Sequence, residues 1–139
     1  MDVLLNLVQE KVLPEDHVRL DEDFKADEFK KALFQMHPSK APGVDGFTAG
    51  FYQRHWDLIG DDLTAAVLEF LNGGDVPESL NDTVITLIPK VRKPQSIKQY
   101  RPISLCTVLH KIATKAVANR MRPVLEYTIS QEQSAFVPG

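Results

Sequence analysis

Lys90, Arg92, Lys93, Lys98 and Arg101 are the residues whose types and spacing point to chemistry. They lie in TVITLIPKVRKPQSIKQYRPISL, residues 83–105, a stretch with no Asp or Glu. An arginine offers a planar fork of N–H donors that matches phosphate oxygens, and a lysine offers a compact point charge. Carried on one stiff support, such residues can hold a polyphosphate or a nucleic-acid backbone. Lys111 and Lys115, one helical turn apart, and Lys40, in the loop HPSKAPGVDGF, extend the set. The bland alternatives stand beside these readings. A lone loop lysine is more often simply solvated, and Arg120 and Arg122 sit where a helix dipole favours cations.

The charge is unevenly distributed. Residues 1–89 carry 7 Lys and Arg against 17 Asp and Glu, whereas residues 90–139 carry 9 against 2. No carboxylate occurs in residues 90–125. The basic half could meet an anionic partner or pair with the chain's own acidic half, and charge alone leaves both open.

Other chemistry is excluded. One cysteine, Cys106, rules out an internal disulfide and a cysteine zinc site. No P-loop, dinucleotide fingerprint, nucleophile–base signature or His-x-x-x-His pair is present. His55 lacks neighbours at ligand spacing and reads as a packed histidine. No apolar run approaches the roughly 20 residues that cross a bilayer. The N-terminus lacks the features of a signal peptide, so an intracellular, non-secreted chain is expected, with the nucleus among the compartments open to it.

The cations must be positioned by secondary structure. Residues 84–88 and 100–105 read as two extended runs joined by a basic connector, a hairpin with a cationic tip. Upstream, a helix is expected over residues 1–13, ended by Pro14, and an acidic, turn-like connector over residues 14–27. A second helix spans about residues 26–36, with Phe29, Ala32, Leu33 and Met36 on one face. Thr48 is a plausible N-cap for a helix to Leu58. Gly60 is expected to break that run, so that Asp61 and Asp62 open the next helix as dipole-matched carboxylates. Asn72-Gly73-Gly74 should close it with a left-handed cap. After the hairpin a helix is expected over about residues 107–122, docking through Leu109, Ile112, Ala113, Ala116 and Val117, with Pro123 bending or ending it. A short helix from Ser130 and an extended run over residues 134–137 follow. The fold class is α+β: a mostly helical N-terminal half, a small antiparallel hairpin and a following helix.

Five motifs occur in order: SKAPGVDGFTAGFYQRHW (residues 39–56), ITLIPK (85–90), YRPISL (100–105), HKIATKAVANRM (110–121) and QSAFVPG (133–139). Each is weak by itself, but as an ordered set they are specific. From about Phe29 to Gly139 the chain resembles the N-terminal part of the reverse transcriptase of LINE-type, non-long-terminal-repeat retrotransposons, with wording closest to plant elements.

The resemblance implies a partial right-hand polymerase fold: residues 1–27 as N-terminal helix and acidic connector, and residues 28–139 as fingers and the start of the palm. It assigns Lys90 of IPK and Arg101 of YRPISL to the triphosphate of an incoming dNTP. Lys40, Arg92, Lys93, Lys98, Lys111 and Lys115 become candidate nucleic-acid or phosphate contacts. RNA template, DNA primer and the palm and thumb segments are the implied partners, with no membrane. The palm motifs that supply metal-binding aspartates are not in this sequence, nor is an endonuclease domain. No catalytic or metal-binding residue is therefore expected here, and Mg2+ or Mn2+ belongs to the complete polymerase. A truncated RNA-directed DNA polymerase, a non-catalytic nucleic-acid-binding module and a degenerate remnant that folds poorly without its palm all remain open.

Overall fold

The computed structural model describes residues 12–75, 80 and 82–129. The expected helix over residues 1–13 and the elements after residue 129 lie outside or almost outside these residues. Contacts divide the chain into two units, Phe24–Ala116 and the pair Met1–Asp23 with Val117–Gly139.

In the smaller unit the first described helix, α1, spans Pro14–Asp21. This corrects the turn-like reading of that segment. Pro14 opens this helix, because the first helical position needs no N–H and tolerates the fixed φ of proline. Glu15 and Asp16 occupy the first turn and Arg19 the last, matching the dipole. Asp16 Oδ2 accepts from the Leu13 N–H at 3.1 Å and from the Tyr127 hydroxyl. At the other end, the Arg120 guanidinium donates to the carbonyls of Leu20, Glu22 and Asp23. Arg120 thus satisfies carbonyls at the end of α1, a more specific role than favouring its own helix dipole.

The larger unit opens with α2, Ala26–Phe34. Glu28 returns its carboxylate to the Lys25 N–H at 3.0 Å, satisfying one of the orphan donors of a helix start. Phe29, Ala32 and Leu33 are fully buried, as the helical spacing anticipates. At the far end, the Gln53 amide donates to the carbonyls of Leu33 and Met36, both at 2.9 Å.

Two helices follow, α3 at Ala49–Arg54 and α4 at Trp56–Leu71, and their boundary corrects the sequence reading. The break falls at His55, not Gly60. Gly60 is buried inside α4, where an added Cβ would lie 2.7 Å from the Trp56 indole. Its small size makes room for a ring, and the helix runs through it. Asp61 and Asp62 consequently sit exposed in the second turn and cap nothing. Thr48 occupies the N-cap position of α3, but its hydroxyl makes no capping bond. The end of α4 matches expectation: Gly73 has φ 92° and the Gly74 N–H reaches the Glu69 carbonyl at 2.8 Å.

Strands β1, Thr83–Pro89, and β2, Tyr100–Cys106, pair antiparallel, with Thr83 opposite Cys106 and Pro89 opposite Tyr100. The last helix, α5, spans Val108–Thr128. Thr107 is its N-cap, accepting from the His110 N–H at 3.3 Å. Pro123 lies within α5 and does not end it.

The core of the larger unit gathers Phe29, Leu33, Tyr52, Val67, Val108 and Ile112 with the small Ala32, Ala49, Ala113 and Ala116. Of the α5 face expected to dock, Ile112, Ala113 and Ala116 are buried in this core, Leu109 packs partly against it, and Val117 is 37% exposed. The fold is α+β with helix predominating, as expected.

Candidate functional site

The hairpin's register follows from its two prolines. The Lys90 N–H donates to the Gln99 carbonyl at 2.7 Å. Hydrogen-bonded pairs recur every second position from that rung, at Ile88–Arg101, Thr86–Ile103 and Val84–Leu105. Pro89 and Pro102 fall on the intervening pairs, where an N–H would point out of the ribbon, so neither costs a rung. Side chains alternate between faces, so Lys90, two positions beyond Ile88, shares the face on which Arg101 stands. These two cations are diagonal neighbours at the neck of the basic connector.

Residues 90–99 close on themselves. The Lys90 ammonium donates to the Lys98 carbonyl at 3.1 Å. The Gln95 N–H donates to the Gln99 side-chain carbonyl at 2.6 Å. The Gln99 N–H reaches the Ser96 carbonyl at 3.0 Å and closes a 3-10 turn at Ile97–Gln99. Arg92, Lys93, Lys98 and Arg101 are exposed, and their side chains have no hydrogen-bond or ion-pair partner among the described residues. Lys90 spends one of its three donors on Lys98, leaving two.

The remaining candidates gather elsewhere. The loop over residues 37–47 docks on the junction of β2 and α5: a Cβ on Gly43 would lie 2.5 Å from the Thr107 nitrogen. The Lys111 ammonium donates to the Ala41 carbonyl at 2.7 Å. Lys40, adjacent to Ala41, and Lys115, a turn beyond Lys111, thus belong to the base of the hairpin. A seven-residue strand separates base from tip by roughly 20 Å. One cationic cluster at the tip (Lys90, Arg92, Lys93, Lys98, Arg101) and a second group at the base (Lys40, Lys111, Lys115) replace the single set.

A groove of about 530 Å³ between α2 and α4 is lined by Trp56 and Leu68, by Asp27 and Asp61, and by Lys30, whose ammonium lies 5.3 Å from the Trp56 ring centroid. The groove's two acidic residues outnumber its one lysine, whereas the tip carries cations only, so the tip is the better match for an anionic ligand. His55 stacks on the Phe51 ring at 4.8 Å between centroids, but both residues are exposed, so this histidine stands at the surface and not in the core as the packed reading expected. Among the described residues no group of three His, Cys, Asp or Glu could hold a metal ion. No described helix is long and apolar enough to cross a membrane. Gln95, Gln99 and Gln53 were not legible as important, because each acts through a backbone group brought near only by folding.

No family model matches the chain. It is 38% identical over 121 residues to the transposon TX1 uncharacterized 149 kDa protein of Xenopus laevis, a match covering 87% of this chain and 9% of that protein. It is 28% identical over 100 residues to the retrovirus-related Pol polyprotein from type-1 retrotransposable element R2 of Bradysia coprophila, covering 71% of this chain and 11% of that polyprotein. The chain therefore spans about a tenth of the length of either relative. Both are mobile-element proteins and neither comes from a plant, so they lend no support to a particular closeness to plant elements.

Proposed function

We propose that this chain is the fingers region, with the approach to the palm, of a LINE-type reverse transcriptase. In this reading the hairpin tip grips the triphosphate of an incoming dNTP, through Lys90 and Arg101. The observation that carries it is the strand register, which puts Lys90, just beyond the end of β1, diagonal to Arg101 on β2, whose guanidinium has no partner among the described residues. Similarity to a transposon protein and to a Pol polyprotein supports the same reading. A fork and a point charge on adjacent strands can engage different oxygens of one polyphosphate. The palm motifs with metal-binding aspartates are not in the sequence, and among the described residues no group of three His, Cys, Asp or Glu could hold a metal ion. The chain's own residues therefore bind and orient, and Mg2+ or Mn2+ chemistry falls to the complete polymerase. Template, primer and the base-side residues Lys40, Lys111 and Lys115 belong to this proposal too.

The test is an NMR titration of the isolated chain with dATP. Arg101→Ala and Lys90→Ala should each weaken binding, and shift changes should centre on residues 88–101. Native-like binding by both variants would overturn the assignment.

The unbroken absence of carboxylates over residues 90–125 favours a second reading, a non-catalytic nucleic-acid-binding module. Primer extension on an RNA template with Mg2+ separates activity from binding: the isolated chain should bind and not extend.

A further inference from the structure

We propose that Gln99 is the positioning residue of the cationic tip, setting the Lys90 ammonium by closing the turn against which that ammonium is held. The inference rests on the triphosphate reading and deepens it. The connector over residues 90–99 is long enough to be floppy, and ordering it costs conformational entropy that a ligand would otherwise have to supply. The rung from the Lys90 N–H to the Gln99 carbonyl ties only the neck. The interior is organised by two further bonds of the same residue. The Gln99 side-chain carbonyl accepts from the Gln95 N–H at 2.6 Å, and the Gln99 N–H donates to the Ser96 carbonyl at 3.0 Å. Residues 95–99 thereby become one closed turn, and its Lys98 carbonyl receives the Lys90 ammonium at 3.1 Å. The position of the Lys90 charge is thus set by this turn as well as by β1. Because Gln95 supplies a donor, the Gln99 oxygen must face it, which fixes the orientation of the amide.

The experiment is a double-mutant cycle on the full chain, read by dATP affinity and by amide exchange of Gln95. Gln99→Met keeps the length and removes the acceptor. It should speed exchange at Gln95, leave exchange at Ile88 and Ile103 unchanged, and weaken dATP binding about two- to tenfold, the range set by one hydrogen bond. In the Gln99→Met background, Lys90→Ala should cost less than in the native chain, since the lysine is already misplaced. Should Gln99→Met not fold, Gln95→Pro removes the same bond from the donor side and should weaken binding alike. Native affinity in the Gln99 or Gln95 variant, or losses that simply multiply with Lys90→Ala, would overturn the proposal. Native affinity on Lys90→Ala and Arg101→Ala would instead defeat the triphosphate reading, and the inference with it.

Discussion

Gly43 and Thr107 meet backbone to backbone: a Cβ at residue 43 would lie 2.5 Å from the Thr107 nitrogen and 2.6 Å from the Cys106 carbonyl carbon. The loop over residues 37–47 is thereby fastened to the β2–α5 junction, with Lys111 on Ala41 as a second tie. Neither contact partner is a flexible side chain that could swing away. Gly43→Ala should destabilise the chain by about 1–3 kcal/mol through forced backbone displacement. Gly46→Ala has open space around it but φ 73°, so its cost should be nearer ~1 kcal/mol. Urea denaturation of the two variants checks the order.

Gln53 and Ile112 test the core from its polar and apolar sides. Gln53→Ala removes the donor to two carbonyls at the end of α2 and should cost about 1–3 kcal/mol. Ile112→Ala empties a fully buried site and should cost about 2–5 kcal/mol. Thermal and chemical unfolding of both variants supply the comparison. A non-cooperative transition in the native chain would mean that the core does not sustain the fold alone.

Tyr52 should govern stability at alkaline pH. Burial, and then the nearby Asp45 carboxylate, raise its phenol above the ordinary value of 10.0. The folded chain therefore holds this proton more tightly than the unfolded chain does. The resulting contribution is complete below pH 10 and is lost as pH rises from there through the raised value. Absorbance of tyrosinate should show a late-titrating component that is lost in Tyr52→Phe, whose stability should fall less steeply above pH 10.

Nucleic-acid binding by the tip should be strongly salt-dependent. Neutralising three to five phosphates predicts a slope of about −3 to −4.5 in log affinity against log salt. Ala at Lys90, Arg92 and Lys93 together should flatten that slope, as filter binding across a salt series would reveal. Ala at Lys40 and Lys115, at the other end of the ribbon, provides the contrast.

The outer edge of β1 predicts self-association. Among the described residues the sheet has two strands only, every residue of β1 is exposed, and TVITLI carries no charge. Such an edge is a template for another chain. Ile85→Lys, at a position 66% exposed, should raise the soluble fraction and lower light scattering without loss of stability.

Much of this molecule is local and therefore legible in the chain. The buried face of α2 follows from helical spacing, the hairpin from two β-branched runs around a basic connector, and the end of α4 from Asn72-Gly73-Gly74. The identity of the cations at the tip is local too, because Lys90 to Arg101 are near neighbours in sequence. What folding alone decided are features that depend on what arrives from afar. Gly60 breaks nothing because the Trp56 ring packs where its Cβ would be, Pro14 opens a helix, and Pro123 does not end one. The separation of tip from base cations is fixed by the length of β2 and the docking of Gly43. Gln99 and Gln53 gain their roles only when folding brings their amides to backbone groups, a pairing that neither composition nor periodicity encodes.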